Sequence, residues 1–202
     1  MRAKPDGSYI SYFSNLVKVN GGINLAQGIP GFQPPTELIN ILKDIANSQH
    51  HQYAPGIGNL QLRALIENSY GVEPDELLVV QGATEGLSLV YTYLFRMLGK
   101  NLVTLSFDPA YESYSRLPQI FNQKFVPFSL INEEFVDFDE LKRCIEENKV
   151  KLIFISSPGN PYGKVWTKAE TCKLLELANE LNFFVVFDSV YEELYFSQKP
   201  YM

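Results

Sequence analysis

Four short stretches combine residue types that suit one kind of ligand. Gln81-Gly82-Ala83-Thr84-Glu85 puts small residues at a turn. Backbone N–H groups can approach an anion there, and Thr84 adds a hydroxyl donor. Asp108-Pro109-Ala110-Tyr111 stiffens a turn with proline and ends on an aromatic face able to stack on a planar ring. Ser157-Pro158-Gly159-Asn160-Pro161-Tyr162-Gly163 is a turn by composition, and its Asn160 amide can donate to a ligand oxygen. Asp188-Ser189-Val190-Tyr191 sets a carboxylate directly after an apolar run. Burying that charge unpaired is costly, so Asp188 wants a cationic partner. Tyr191, three residues on, returns to the same side if a turn of helix follows. Each stretch also has a plainer reading: a tight strand-to-helix turn with Thr84 near the cap, a core-packing tyrosine, a turn-forming Asn-Pro, and an N-cap or ordinary ion pair.

The elements that must position these residues alternate between strand and helix. Apolar residues Leu38, Ile39, Ile41, Leu42 and Ile45 form a helical stripe over residues 36–48, just after Pro34-Pro35. A second helix is predicted over 59–70, with Leu62, Leu65 and Ile66 on one face. Leu77–Gln81 reads as a short buried strand and 83–98 as a helix. Strands follow at 102–107, 124–128 and 151–156. Asp137 with Glu140, and Thr167 with Glu170, carry the spacing of helix N-caps, opening helices to about Asn148 and Leu181. The run Phe183–Phe187 is continuously apolar, as for a strand buried on both faces. The fold class is therefore α/β, a mostly parallel sheet flanked by helices. The segment before residue 36 reads as irregular, so the domain division expected is an N-terminal arm, 1–35, and a large domain, 36–202.

Composition narrows the partners. The 202 residues are 46% hydrophobic and carry a net charge of −6, which argues for a folded domain and against nucleic-acid binding by phosphate neutralisation. Any anion site has to be built locally, from backbone N–H groups. No apolar run approaches a membrane span, and Met1–Ser11 lacks the core of a signal peptide. Cys144 and Cys172 fall in helical segments and fit reduced thiols in a cytoplasmic protein. The adjacent His50 and His51, with two separated cysteines, form no metal-ligand pattern.

Ligands of open α/β sheets bind beyond the C-terminal ends of the strands. An anion nest, an aromatic plate, an amide donor and a carboxylate at four strand ends suit a flat, cationic heteroaromatic bearing a phosphate. Pyridoxal phosphate has this form, and its pyridinium nitrogen needs an acidic partner.

From about Ile23 onward the chain resembles the class I/II, aspartate-aminotransferase-like, fold-type-I pyridoxal-phosphate enzymes. Asn24-Leu25-Ala26-Gln27-Gly28-Ile29-Pro30-Gly31-Phe32 resembles the family's opening segment, which gives Gly28 a place near the substrate carboxylate. Gln52-Tyr53-Ala54-Pro55-Gly56 resembles the segment whose tyrosine reaches the cofactor phosphate of a neighbouring subunit, so a homodimer is implied. By the same resemblance Gly82, Ala83 and Thr84 form the phosphate loop, and Tyr111 stacks on the ring. Asn160, before Pro161 and Gly163, bonds the ring oxygen; Asp188 bonds the pyridine nitrogen, and Tyr191 that same oxygen. The stretches Gln-Tyr-Ala-Pro, Gly-Ala-Thr-Glu, Asp-Pro-Ala-Tyr and Gly-Lys-Val-Trp look most like the kynurenine/glutamine and methionine aminotransferases. Ser189 stands where that group usually has Glu, and Gly159 where His or Asn commonly precedes the Asn-Pro.

The resemblance implies amino-acid and 2-oxo-acid substrates. It also implies a Schiff-base lysine a few dozen residues beyond the position of Asp188. Here only Ser189–Met202 follow, and Lys199, the lysine among them, lacks that motif. Lys164 matches the structural Gly-Lys-Val instead. The expectation is the front part of an aminotransferase, ending before the C-terminal small domain, with no catalytic lysine and no activity alone. Two other readings share the motifs: a carbon–sulfur β-lyase of the same fold type, and a non-catalytic module that keeps only the cofactor half-site.

Overall fold

The computed structural model describes residues 8–29, 31–49, 51–130, 135–197 and 199–201. Residues 1–7 of the expected arm, Pro30 of the glycine segment and His50 lie outside them. Two compact units result, Met1–Pro55 and Gly56–Met202; the boundary predicted before Thr36 lies inside the first.

The first unit holds α1 (Tyr9–Asn20) and α2 (Thr36–Ala46). Helix α1 corrects the expectation of an irregular start: Tyr9, Tyr12, Phe13 and Leu16 recur at helical spacing. Asn24 folds the following segment back on itself. Its side-chain oxygen accepts from the N–H groups of Ala26 and Gln27, and its amide donates to Ser14 Oγ on α1 at 3.0 Å. Helix α2 forms where its stripe predicts, but Leu38, Ile41, Leu42 and Ile45 remain exposed.

The second unit runs α3 (Leu60–Tyr70), α4 (Ala83–Leu98), β1 (Thr104–Asp108), α5 (Glu112–Ile120), β2 (Phe125–Ser129), α6 (Phe138–Asn148), β3 (Leu152–Ser156), α7 (Lys168–Leu181) and β4 (Phe184–Asp188). The four strands lie in the order β2-β1-β3-β4, every pair parallel. This is an α/β fold with a parallel sheet flanked by helices. Successive residues of a strand face opposite sides, so a strand apolar at every position feeds two cores. In β3, Ile153 and Ile155 join α6 and α7 through Leu141, Ile145 and Leu174. Leu152 and Phe154 join α4 and α5 through Leu87, Tyr91, Tyr114 and Leu117.

The helix starts follow their caps. Asp137 accepts from the N–H groups of Asp139 and Glu140. Thr167 Oγ1 accepts from Glu170 N–H at 3.2 Å, and the Glu170 carboxylate returns a bond to Thr167 N–H at 3.0 Å. Asn59 caps α3 in the same way, through Gln61 and Leu62.

Two strand expectations need correction. Leu77–Gln81 is not in the sheet: no strand among the described residues pairs with it. Its polar backbone is satisfied locally instead. The Leu77 carbonyl accepts from the buried Arg63 guanidinium at 2.6 Å, and Gln81 N–H donates to Glu85 at 2.7 Å. Arg63 also donates to the carbonyls of Ile57 and Pro74, so one cation fixes this whole approach to α4. Among the described residues, strand β4 pairs with β3 alone, and its residues are half-buried or exposed, with Phe184 at 44%. An apolar run meant for two faces therefore lies at an open margin. Among the described residues, no helix is long and apolar enough to cross a membrane.

Candidate active site

Parallel strands in register end together, and that levels the site. Ser156 pairs with Asp188 across β3 and β4, and Asp108 with Ser129 across β1 and β2. The loops that leave these ends carry the singled-out side chains to one place. Gly82, Ala83, Thr84, Tyr111, Asn160, Asp188 and Tyr191 all line a cavity of about 300 Å³. That volume sits at the lower end of the roughly 300–1,000 Å³ of small-molecule sites. Gly28 and Tyr53 belong to the first unit, where both are exposed.

Each contributor has a local reason for its position. Gly82 precedes α4, and Ala83 and Thr84 form its first turn. The N–H groups of a first turn have no partner inside the helix, so they face an anion ready-made. Glu85 turns back to Gln81 N–H. Tyr111 is the N-cap residue of α5, set by the extended turn from Asp108. Asn160 follows β3, and its amide donates to the Tyr191 hydroxyl at 3.4 Å, a long bond that marks the two as neighbours. Tyr191 returns toward Asn160 because the chain after β4 turns at once: Glu192 N–H bonds Ser189 O, and Leu194 N–H bonds Tyr191 O.

Three lining residues were not singled out from sequence, Tyr114, Ser156 and Val190. The Tyr114 hydroxyl donates to Asp188 Oδ2 at 2.7 Å. Its ring stacks on Phe154 at 5.2 Å and meets Tyr111 edge-on at 5.7 Å. Burial first, then the hydrogen bond to Asp188 and its negative charge, push the Tyr114 phenol far above its usual range, against the opposing Ser156 hydroxyl. Tyr111 and Tyr114 stand three apart, a helical spacing, on a segment whose Pro118 argues against a helix by sequence, yet α5 runs through it.

Among the described residues, no lysine lines this cavity. Lys164 lies beside Asn160 on a neighbouring cavity, paired to Glu170 at 2.8 Å and set over the Trp166 ring. Lys199 is exposed and paired to Glu193.

The chain has recognisable relatives. The pattern of aminotransferase class I and II matches residues 20–202. A methionine aminotransferase of Escherichia coli is 33% identical over 92% of this chain, and a probable aspartate aminotransferase of Methanocaldococcus jannaschii is 30% identical over 89%. The solved structure of N-succinyldiaminopimelate aminotransferase from Mycobacterium tuberculosis superposes with a TM-score of 0.83 over 97% of the chain, at 27% identity. The chain spans about half the length of these relatives, 49%, 48% and 53% respectively. Sequence likeness running from residue 20 to the last, on a shared fold, makes this chain a member of the class I and II aminotransferase family.

Proposed function

We propose that this chain forms the cofactor-holding part of a pyridoxal-phosphate-dependent aminotransferase, which moves an amino group between an amino acid and a 2-oxo acid. The observation that carries it is the meeting of Gly82, Ala83, Thr84, Tyr111, Asn160, Asp188 and Tyr191 around one cavity. The donor set fits the group: first-turn N–H groups and a hydroxyl for a phosphate, an aromatic face for a ring, a carboxylate for a pyridinium.

When bound, pyridoxal phosphate supplies an electron sink for the carbanion left when the substrate loses its Cα proton. Ala83 and Thr84 hold the phosphate through N–H groups and the Thr84 hydroxyl. Tyr111 would offer its aromatic face for the ring to stack on. Asp188 places its negative charge at the ring nitrogen and so retains the proton there. Asn160 and Tyr191 donate to the ring oxygen. Gly28 serves the substrate carboxylate, and Tyr53 the phosphate of a second subunit, so the working form is a homodimer. The free thiols of Cys144 and Cys172 accord with a cytoplasmic setting.

The test is equilibrium dialysis of the chain against pyridoxal phosphate, followed by borohydride reduction and peptide mapping. Saturable binding that Asp188→Asn weakens at least tenfold supports the proposal, and binding indifferent to Asp188 sinks it. Because no lysine lines the cavity among the described residues, reduction should give scattered, sub-stoichiometric adducts and the chain alone no turnover. One dominant pyridoxyl-lysine with amino-acid-dependent turnover would overturn that part.

A further inference from the structure

Asp188 stands at the end of a strand with one neighbour among the described residues, and the chain turns immediately after it. Little in its own backbone fixes the carboxylate, whose terminal torsion is broad and roughly two-fold. Val190 N–H reaches Oδ1 only at 3.4 Å. The short bond is the one from Tyr114 to Oδ2, at 2.7 Å.

Tyr114 is itself over-determined. It is 2% exposed, within the core beneath the site. Phe154 holds one face of its ring nearly parallel, at 17°, and Tyr111 meets it at 84°. Burial and these two ring contacts thus fix where the hydroxyl sits, and the hydroxyl fixes where the carboxylate sits.

Building on the proposed cofactor site, we infer that Tyr114 is a positioning residue that holds the Asp188 carboxylate toward the cofactor's ring nitrogen and couples that carboxylate to the Tyr111 plate. Tyr114 touches Tyr111 on one side and Asp188 on the other. The stacking surface and the negative charge then move as one piece, and the ring nitrogen is located relative to the ring plane. A tyrosine that only filled the core would need neither the hydroxyl nor the bond.

The chain is titrated by equilibrium dialysis with pyridoxal phosphate and with its analogue in which the ring nitrogen is a C–H. Four forms are compared: the unsubstituted chain, Tyr114→Phe, Asp188→Asn, and both together. Tyr114→Phe should weaken pyridoxal phosphate by about tenfold, the scale of one hydrogen bond to a charged group. The C–H analogue should bind both forms within about twofold, since it offers Asp188 no proton to hold. The double variant should bind pyridoxal phosphate no more weakly than Asp188→Asn alone. Placing 4-aminophenylalanine at 114 keeps the ring and returns a donor, and should restore the preference for pyridoxal phosphate over the analogue. It also carries the test if Tyr114→Phe does not fold. Equal weakening of both ligands, independent effects in the double variant, or no rescue would reduce Tyr114 to core packing and overturn the inference. Failure of the unsubstituted chain to bind pyridoxal phosphate would instead overturn the proposed function on which this rests.

Discussion

The middle of the sheet and its β4 margin are built from the same residue types and end in different environments. Strand β3 and strand β4 are both runs of aliphatic and aromatic residues closed by a polar one, Leu152–Ser156 and Phe184–Asp188. In β3, Leu152, Ile153 and Phe154 are fully buried, with strands on both edges and helices on both faces. In β4 one edge is open, and Val185, Val186 and Phe187 are only half-buried. An apolar run therefore reports what a strand requires, while the pairing that meets the requirement is set by other strands. The candidate site straddles the two regions. Tyr111, Tyr114 and Asn160 come from the packed side, Asp188 and Tyr191 from the open one, and the Tyr114–Asp188 bond spans them.

The sharpest test of the contrast is truncation in the middle. Ile153→Ala removes fully buried atoms between β1, α6 and α7, and should destabilise by about 2–5 kcal/mol. The midpoint of urea unfolding, followed by fluorescence of the buried Trp166, reads it. A loss below about 1 kcal/mol would mean the middle is no better packed than the margin.

The buried pair beneath Trp166 comes next. Burial opposes the Glu170 carboxylate, but the bonds from Lys164 and Thr167 and the Lys164 charge outweigh it and hold the group below its usual value. A depressed carboxylate contributes stability above its unfolded value near 4.5 and loses it as the pH falls through the folded one. Glu170→Gln should therefore lower stability by about 1.5–3 kcal/mol at neutral pH. The gap from the unsubstituted chain should then narrow as the pH is lowered below about 4.5. A gap independent of pH would show that the carboxylate's charge plays no part.

Thr167→Ala tests the other half of that cap. It leaves Glu170 N–H without its side-chain acceptor and should destabilise by about 1 kcal/mol. An unchanged unfolding midpoint would show that the reciprocal bond is replaced by water at no loss.

These local devices are what the amino-acid order made legible. The caps at Asp137 and Thr167, and the apolar runs at β1 to β4, are decided by residues a few positions apart, and the observed boundaries fall within about two residues of those expected. The lining residues were legible for a related reason, because parallel strands bring their following loops to one edge. What was missed depends on distant partners or on masking. Leu77–Gln81 has the composition of a strand, but a ladder needs a second strand, and its backbone went to Arg63 and Glu85. Helix α5 was hidden by Pro118, and with it the hydroxyl that reaches Asp188 across 74 positions.

The smallest expected change in stability is at the margin itself. Leu78, Val80, Leu89, Val90, Val186 and Val190 line an apolar groove of about 430 Å³ between the extended segment, α4 and the end of β4. Leu78 is 54% exposed there and Val190 59%. Exposed side chains contribute little to folding, so Leu78→Ser should shift stability by less than about 0.5 kcal/mol. Association is different, because an open strand edge beside an apolar groove is a surface on which chains collect. Light scattering of the chain should show a mean mass that rises with concentration and rises less in Leu78→Ser. If both remain monodisperse monomers across the range, the groove is not adhesive and the open margin is stable as it stands. If Leu78→Ser instead destabilises as much as Thr167→Ala, the extended segment is packed after all, and the contrast between the two regions fails at the point where it was drawn.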